Sequence, residues 1–129
     1  MRHPPALLLA ALVGGLSGCA HALPPASGSR IEAPGWTGQT VNYRCTDGRR
    51  LAVVYLNPQQ GDALAVLATD GVQAVLRALP AASGARYADT DEQRGLRWHT
   101  QGGAGRLALM PADHSASERT LSAHCQAQP

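Results

Sequence analysis

Side chains able to do chemistry are sparse in this sequence and fall into three groups. Three cysteines, Cys19, Cys45 and Cys125, offer thiol chemistry. His99, His114 and His124, with Asp113, have the types needed for a metal site or a triad partner. No zinc-type Cys or His spacing and no Gly-x-Ser-x-Gly elbow accompanies them. Unrelated exposed histidines explain them more economically, and His21, close to the N-terminus, suggests nothing catalytic. The residues therefore point to no enzyme and no cofactor. The third group is two loop-like stretches, Ser83-Gly84-Ala85-Arg86-Tyr87 and Trp98-His99-Thr100-Gln101-Gly102. Ser-Gly is common turn chemistry, so Ser83 alone reads as a turn residue until its company is considered.

The N-terminus decides what the cysteines can be. Met1-Arg2-His3 is basic, residues 6–16 are an apolar run, and Leu16-Ser17-Gly18-Cys19 follows. This is the layout of an export signal, to be excluded from fold reasoning. Its apolar run is far short of the roughly 20 residues of a membrane-spanning helix. A leucine, two small residues and a cysteine resemble the lipobox of bacterial lipoproteins. That resemblance implies cleavage after residue 18, a diacylglycerol on Cys19 and acylation of its new amine. Several acyl chains exceed the marginal binding of a single one. Ala20 is not the aspartate that retains many such proteins at the inner membrane, so the resemblance implies the outer membrane, most simply its periplasmic side.

Lipidation of Cys19 leaves Cys45 and Cys125. In an oxidising envelope compartment an even remainder reads as a disulfide. It would close a loop of 80 residues and restrict the unfolded chain by about 4 kcal/mol in the entropy model. Taking residues 1–18 from the 129 leaves 111 and removes one arginine from a formal net charge of +2. That is one domain, and so small a net charge gives no electrostatic case for nucleic acid, which demands a concentrated basic face. All eleven basic residues are arginine and phenylalanine is absent, which GC-rich coding explains.

The elements that must position these residues are strands. Residues 19–39, rich in Pro, Gly, Ser and Ala, read as a lipidated flexible tether, and the domain is expected over 40–129. Alternation in Val41-Asn42-Tyr43-Arg44-Cys45 predicts a first strand, and Asp47-Gly48 suits a tight hairpin. Further strands are expected over 51–56, 63–68, 96–101, 106–110 and 119–125, with turns about every ten residues. Residues 72–79 also fit a helical face, but the bounding turns and Pro80 favour a strand. Leu121, Ala123 and Cys125 share one face, as do Val41, Tyr43 and Cys45. That parity allows the ends of the sheet to meet in a small antiparallel barrel.

The two loop-like stretches, Tyr43-Arg44-Cys45 with Asp47-Gly48, Tyr55-Leu56-Asn57-Pro58 and the terminal Cys125 together resemble the membrane-bound inhibitors of c-type lysozyme, the MliC and PliC family. The resemblance covers residues 41–125. It implies an all-β, eight-stranded antiparallel barrel that plugs the lysozyme cleft, with c-type lysozyme as partner. In that family a serine of the Ser-Gly loop reaches one catalytic carboxyl group, and a lysine before glycine in the second motif pairs with the other. The serine position here is Ser83, flanked by Gly84, Arg86 and Tyr87 in the contact loop. The lysine position is Gln101. Its amide can donate but brings no charge, and Arg97 and Arg106 are candidates to supply it. Tyr87 and Trp98 also read as barrel-wall aromatics.

Two other readings follow from the same residues. Loss of the lysine fits a family member with lost or redirected inhibition, acting as an envelope binding or structural module. A lipocalin-like carrier would need a large apolar lumen, which so short a chain gives little reason to expect.

Overall fold

A computed structural model describes residues 27–113 and 116–129. The export signal, Cys19, His21, the first part of the tether and His114 lie outside the described residues. Nine strands run in chain order: β1 (Arg30–Ala33), β2 (Trp36–Cys45), β3 (Arg50–Pro58), β4 (Leu64–Thr69), β5 (Val72–Leu79), β6 (Ala85–Asp89), β7 (Leu96–Gln101), β8 (Ala104–Leu109) and β9 (Arg119–Ala127). Each pairs antiparallel with the next, and β2 also pairs with β9, closing β2–β9 into an eight-stranded barrel. Cys45 lies opposite Cys125 at this seam, and the two form a disulfide. The strand parity seen in the sequence is what permits it.

Alternation builds the interior. Val53, Leu67, Leu76 and Leu107 are fully buried, and Trp98 crosses the axis at 1% exposure. A Cβ on Gly105 would overlap the Trp98 ring, so the glycine makes room for the indole. Small barrels of eight strands are filled by their side chains in this way. A carrier's lumen is therefore not what this interior provides. Residues 72–79 are a strand, with Ala74 and Leu76 facing inward.

Three strand boundaries differ from the sequence expectation. Residues 30–39, read as tether, form the hairpin of β1 with the start of β2, with Ala33 paired to Trp36. This hairpin overhangs the barrel and buries little, so its Thr-Gly-Gln sequence carries no apolar alternation to announce it. The strand pairing accordingly begins at residue 30 and not at 40. Residues 85–87, read as loop-like, belong to β6 (Ala85–Asp89), a short strand whose buried residues begin only at Tyr87. Leu96–Gln101, treated both as strand and as loop-like, is β7 along its whole length.

Candidate functional site

Antiparallel order places four connections at each end of the barrel. At one end lie the turns 34–35, 59–63, 80–84 and 102–103, together with the C-terminus. Here the Ser83-Gly84 turn and the Gln101-Gly102 turn stand side by side. Ala85 pairs with Thr100, and Arg86 with His99. Gly84 has φ of 66°, a left-handed conformation that glycine adopts without strain. A Cβ there would overlap the Thr100 carbonyl oxygen and lie 3.3 Å from Cβ of Gln101. Glycine thus lets the serine turn press against β7. Ser83 and Gln101 are both exposed, and they share one rim.

Inside this rim the barrel opens in a depression of about 390 Å³ lined by Gln39, Tyr43, Tyr55, Asn57, Tyr87 and Thr100, among others. Its floor is a hydrogen-bonded chain: Trp98 Nε1 donates to Tyr55 Oη at 2.9 Å, and the Tyr55 and Tyr43 hydroxyls are hydrogen-bonded to each other at 2.8 Å. Tyr43 meets Trp98 edge-on at 5.0 Å, and Tyr87 tilts over Tyr55 at 5.6 Å. Burial pushes the Tyr55 hydroxyl far above the ordinary tyrosine range, with the Trp98 bond only partly opposing it. Burial also raises Tyr43 and Tyr87. All three remain neutral, so the mouth offers donors and acceptors but no base.

The outer wall beside the rim carries the charge. His99 on β7 lies between Arg86 on β6 and Arg106 on β8, each its direct cross-strand partner. Glu118 serves both arginines: Arg106 Nη2 donates to its Oε2 at 3.1 Å, and Arg86 Nη2 lies 3.7 Å from its Oε1. Two cations against one carboxylate leave a surplus positive charge. Nε2 of His99 is buried there without a hydrogen-bond partner among the described residues. Arg97 sits on the same wall, where it donates to the carbonyl of Leu96 at 3.4 Å.

Of the sequence-predicted residues, Ser83, Gly84 and Gln101 are thus gathered on the rim. Arg86 and Arg106 share Glu118 on the wall next to it. Tyr87 is 8% exposed and lines the mouth, and Arg97 lies four residues down β7 from Gln101, about 13 Å along the strand. His99 and His124 lie on β7 and β9, and no group of three potential metal ligands exists among the described residues.

Over residues 43–115 the chain matches the family model described as membrane-bound lysozyme-inhibitor of c-type lysozyme. The chain belongs to this family. No curated protein matches it. Among solved structures it is similar to PliC-St, the periplasmic lysozyme inhibitor of c-type lysozyme from Salmonella typhimurium. That match has a TM-score of 0.58 at 19% identity, covering 69% of this chain and 95% of that one. It is also similar to MliC of Pseudomonas aeruginosa, solved in complex with hen egg white lysozyme. There the TM-score is 0.55 at 24% identity, over 89% of this chain and 100% of the other. These likenesses establish the inhibitor barrel as the fold.

What sequence reasoning missed is the opposite end of this family barrel. Asp89 is buried at 5% exposure and accepts from Arg94 Nε at 2.7 Å and Nη2 at 2.8 Å. It also accepts from the backbone N–H groups of Asp91 and Leu96. Burial opposes its ionisation, but these donors outweigh it and hold the carboxyl below the usual range. The available signal was Asp-x-Asp-x-x-Arg-Gly, in which Asp89 and Asp91 each accept the N–H two residues on, the Asx turn.

Proposed function

We propose that this protein inhibits c-type lysozyme by seating the Ser83-Gly84 turn and the Gln101 end of β7 in the enzyme's cleft, protecting bacterial peptidoglycan. The observation that carries this reading is the close packing of Gly84 on β7, which sets Ser83 and Gln101 together on one exposed rim in a chain of the inhibitor family. Lysozyme, a retaining glycosidase, works with one protonated and one ionised carboxyl group about 5–5.5 Å apart. A serine hydroxyl can accept from the first or donate to the second. Gln101 donates through its amide. The surplus charge of the Arg86–Glu118–Arg106 group, one cross-strand row from the rim, supplies the field that a lysine would otherwise provide. Arg97 is the more distant source. Cys19 is the lipidated residue, and the lipid holds the domain at the outer membrane on its periplasmic side.

The test is turbidimetric lysis of peptidoglycan-rich cells by c-type lysozyme, with the chain from Ala20 onward and its Ser83→Ala variant. Inhibition that weakens in the variant supports both the function and the site. No inhibition at micromolar protein would show that Gln101 marks a changed partner.

A further inference from the structure

The outer wall of β2–β5 has a pattern that the inhibitory rim does not use. Outward positions of a half-exposed antiparallel sheet are normally polar. Here Val54 lies opposite Val66, and Val66 opposite Val75. The Ala52–Ala68 row flanks this valine row on one side and the Leu56–Leu64 row on the other. Val75 is 42% exposed. The margins of the wall carry three cations without a carboxylate partner, beside the turn residues Asp62 and Asp70, of which Asp70 pairs with Arg49 at 3.2 Å. Arg44 lies directly opposite Arg50, and Arg77 opposite Leu64. None of the three has an ion-pair partner among the described residues. Like charges directly opposite each other destabilise a sheet, and an anion between them would relieve that cost.

The chain enters the domain at this wall. Ser27 Oγ accepts the N–H of Asn42 at 3.2 Å. Asn42, Arg44, Arg50, Ala52 and Ala68 line one open groove of about 380 Å³. Only seven residues lie between Cys19 and Ser27, eight Cα steps with a reach of at most about 28 Å when fully extended. With strand pairing beginning at residue 30 and not 40, the tether is too short to let the domain stand far from its anchor.

We propose that the β2–β5 wall is a membrane-docking surface for anionic lipid, with Arg44, Arg50 and Arg77 meeting headgroup phosphates and the valine row resting at the interface. Arginine matches phosphate oxygens bidentately, and basic residues near an anionic leaflet add binding in proportion to their number. The barrel axis then lies along the membrane and the inhibitory rim faces sideways, free to meet an enzyme. The choice of this wall over the others rests in part on the reading of Cys19 as the lipid anchor.

The described residues close the whole barrel, so the chain from Ala20 onward, without lipid, can be tested directly. Its sedimentation with vesicles of phosphatidylglycerol and phosphatidylcholine is compared with that on phosphatidylcholine alone. Binding is expected only to the anionic vesicles, to weaken with salt, and to fall about 30-fold in Arg44→Gln/Arg50→Gln. Arg119→Gln, a cation on β9 outside the wall, is expected to bind as the native chain does. Circular dichroism confirms that each variant is folded. Equal binding to both vesicle types, or an equal loss in Arg119→Gln, overturns the proposal. The mass of Cys19 in membrane-extracted protein tests the anchor separately, and an unlipidated Cys19 leaves the vesicle result intact.

Discussion

The two ends of the barrel are built on opposite principles. At the end distant from the rim, loops are held by carboxylates: Asp47 accepts from Ser122 Oγ at 2.6 Å and from the Arg49 N–H, and buried Asp89 collects four donors. The Ser122 hydroxyl, then the Arg49 N–H, hold the Asp47 carboxyl below its usual range. At the rim, Ser83 and Gln101 are exposed, with their side chains left available to a partner. Polar groups satisfied within the fold stabilise it, whereas those left to solvent can be satisfied by something else. On the proposed function, stability and recognition then fall to different ends.

This division can be broken or sharpened by substitution. The largest effect is expected at the seam: Cys45→Ala/Cys125→Ala should lose about 2–5 kcal/mol in denaturant unfolding. Next is Asp89→Ala, which removes a buried partner from Arg94 and should cost about 2–4 kcal/mol while leaving the inhibition of any remaining folded protein unchanged. Because the folded pKa of Asp89 is depressed, its stabilisation is fully present above the ordinary value of about 3.9. It is lost as pH falls through the lower folded value. Unfolding free energy measured from pH 2 to 6 should therefore show a flatter acid limb in Asp89→Asn.

At the rim the pattern inverts. Ser83→Ala should weaken inhibition by about 10- to 100-fold, the worth of one hydrogen bond to a charged group, with an unchanged unfolding midpoint. Gly84→Ala should both weaken inhibition and lower the unfolding midpoint, since the added Cβ must displace either the turn or the Thr100 carbonyl. A stable Gly84→Ala variant with full inhibition would remove the reason for that glycine. The smallest effect is expected of Gln101→Lys, which should tighten inhibition about fivefold and make it more sensitive to salt.

Sequence patterning revealed the parts of the fold in which alternation meets the core. The seam, the disulfide and the strand over 72–79 are all consequences of which face each residue occupies. β1 escaped because an overhanging hairpin need not alternate, and β6 because Ser-Gly at its start looks like turn chemistry. The rim was legible only through motif resemblance; nothing in the composition distinguishes Ser83 from an ordinary turn serine. Glu118 could not be linked to Arg86 and Arg106 in advance, because the three converge from β6, β8 and the segment before β9 only when the barrel closes. Asp89 was missed for the same reason, as its burial depends on residues 90–95 folding back over it.

Closure of β2 on β9 also governs how copies of this protein behave beside one another. An open sheet presents a row of unpaired backbone groups at each margin, and such margins recruit further strands into aggregates. In the barrel, β2 through β9 each have neighbours on both sides. Among the described residues, the margins left are the outer side of β1, four residues long and carrying Arg30 and Glu32, and the start of β9, which pairs with β2 only from Cys125 onward; both are too short to serve as a template for growth.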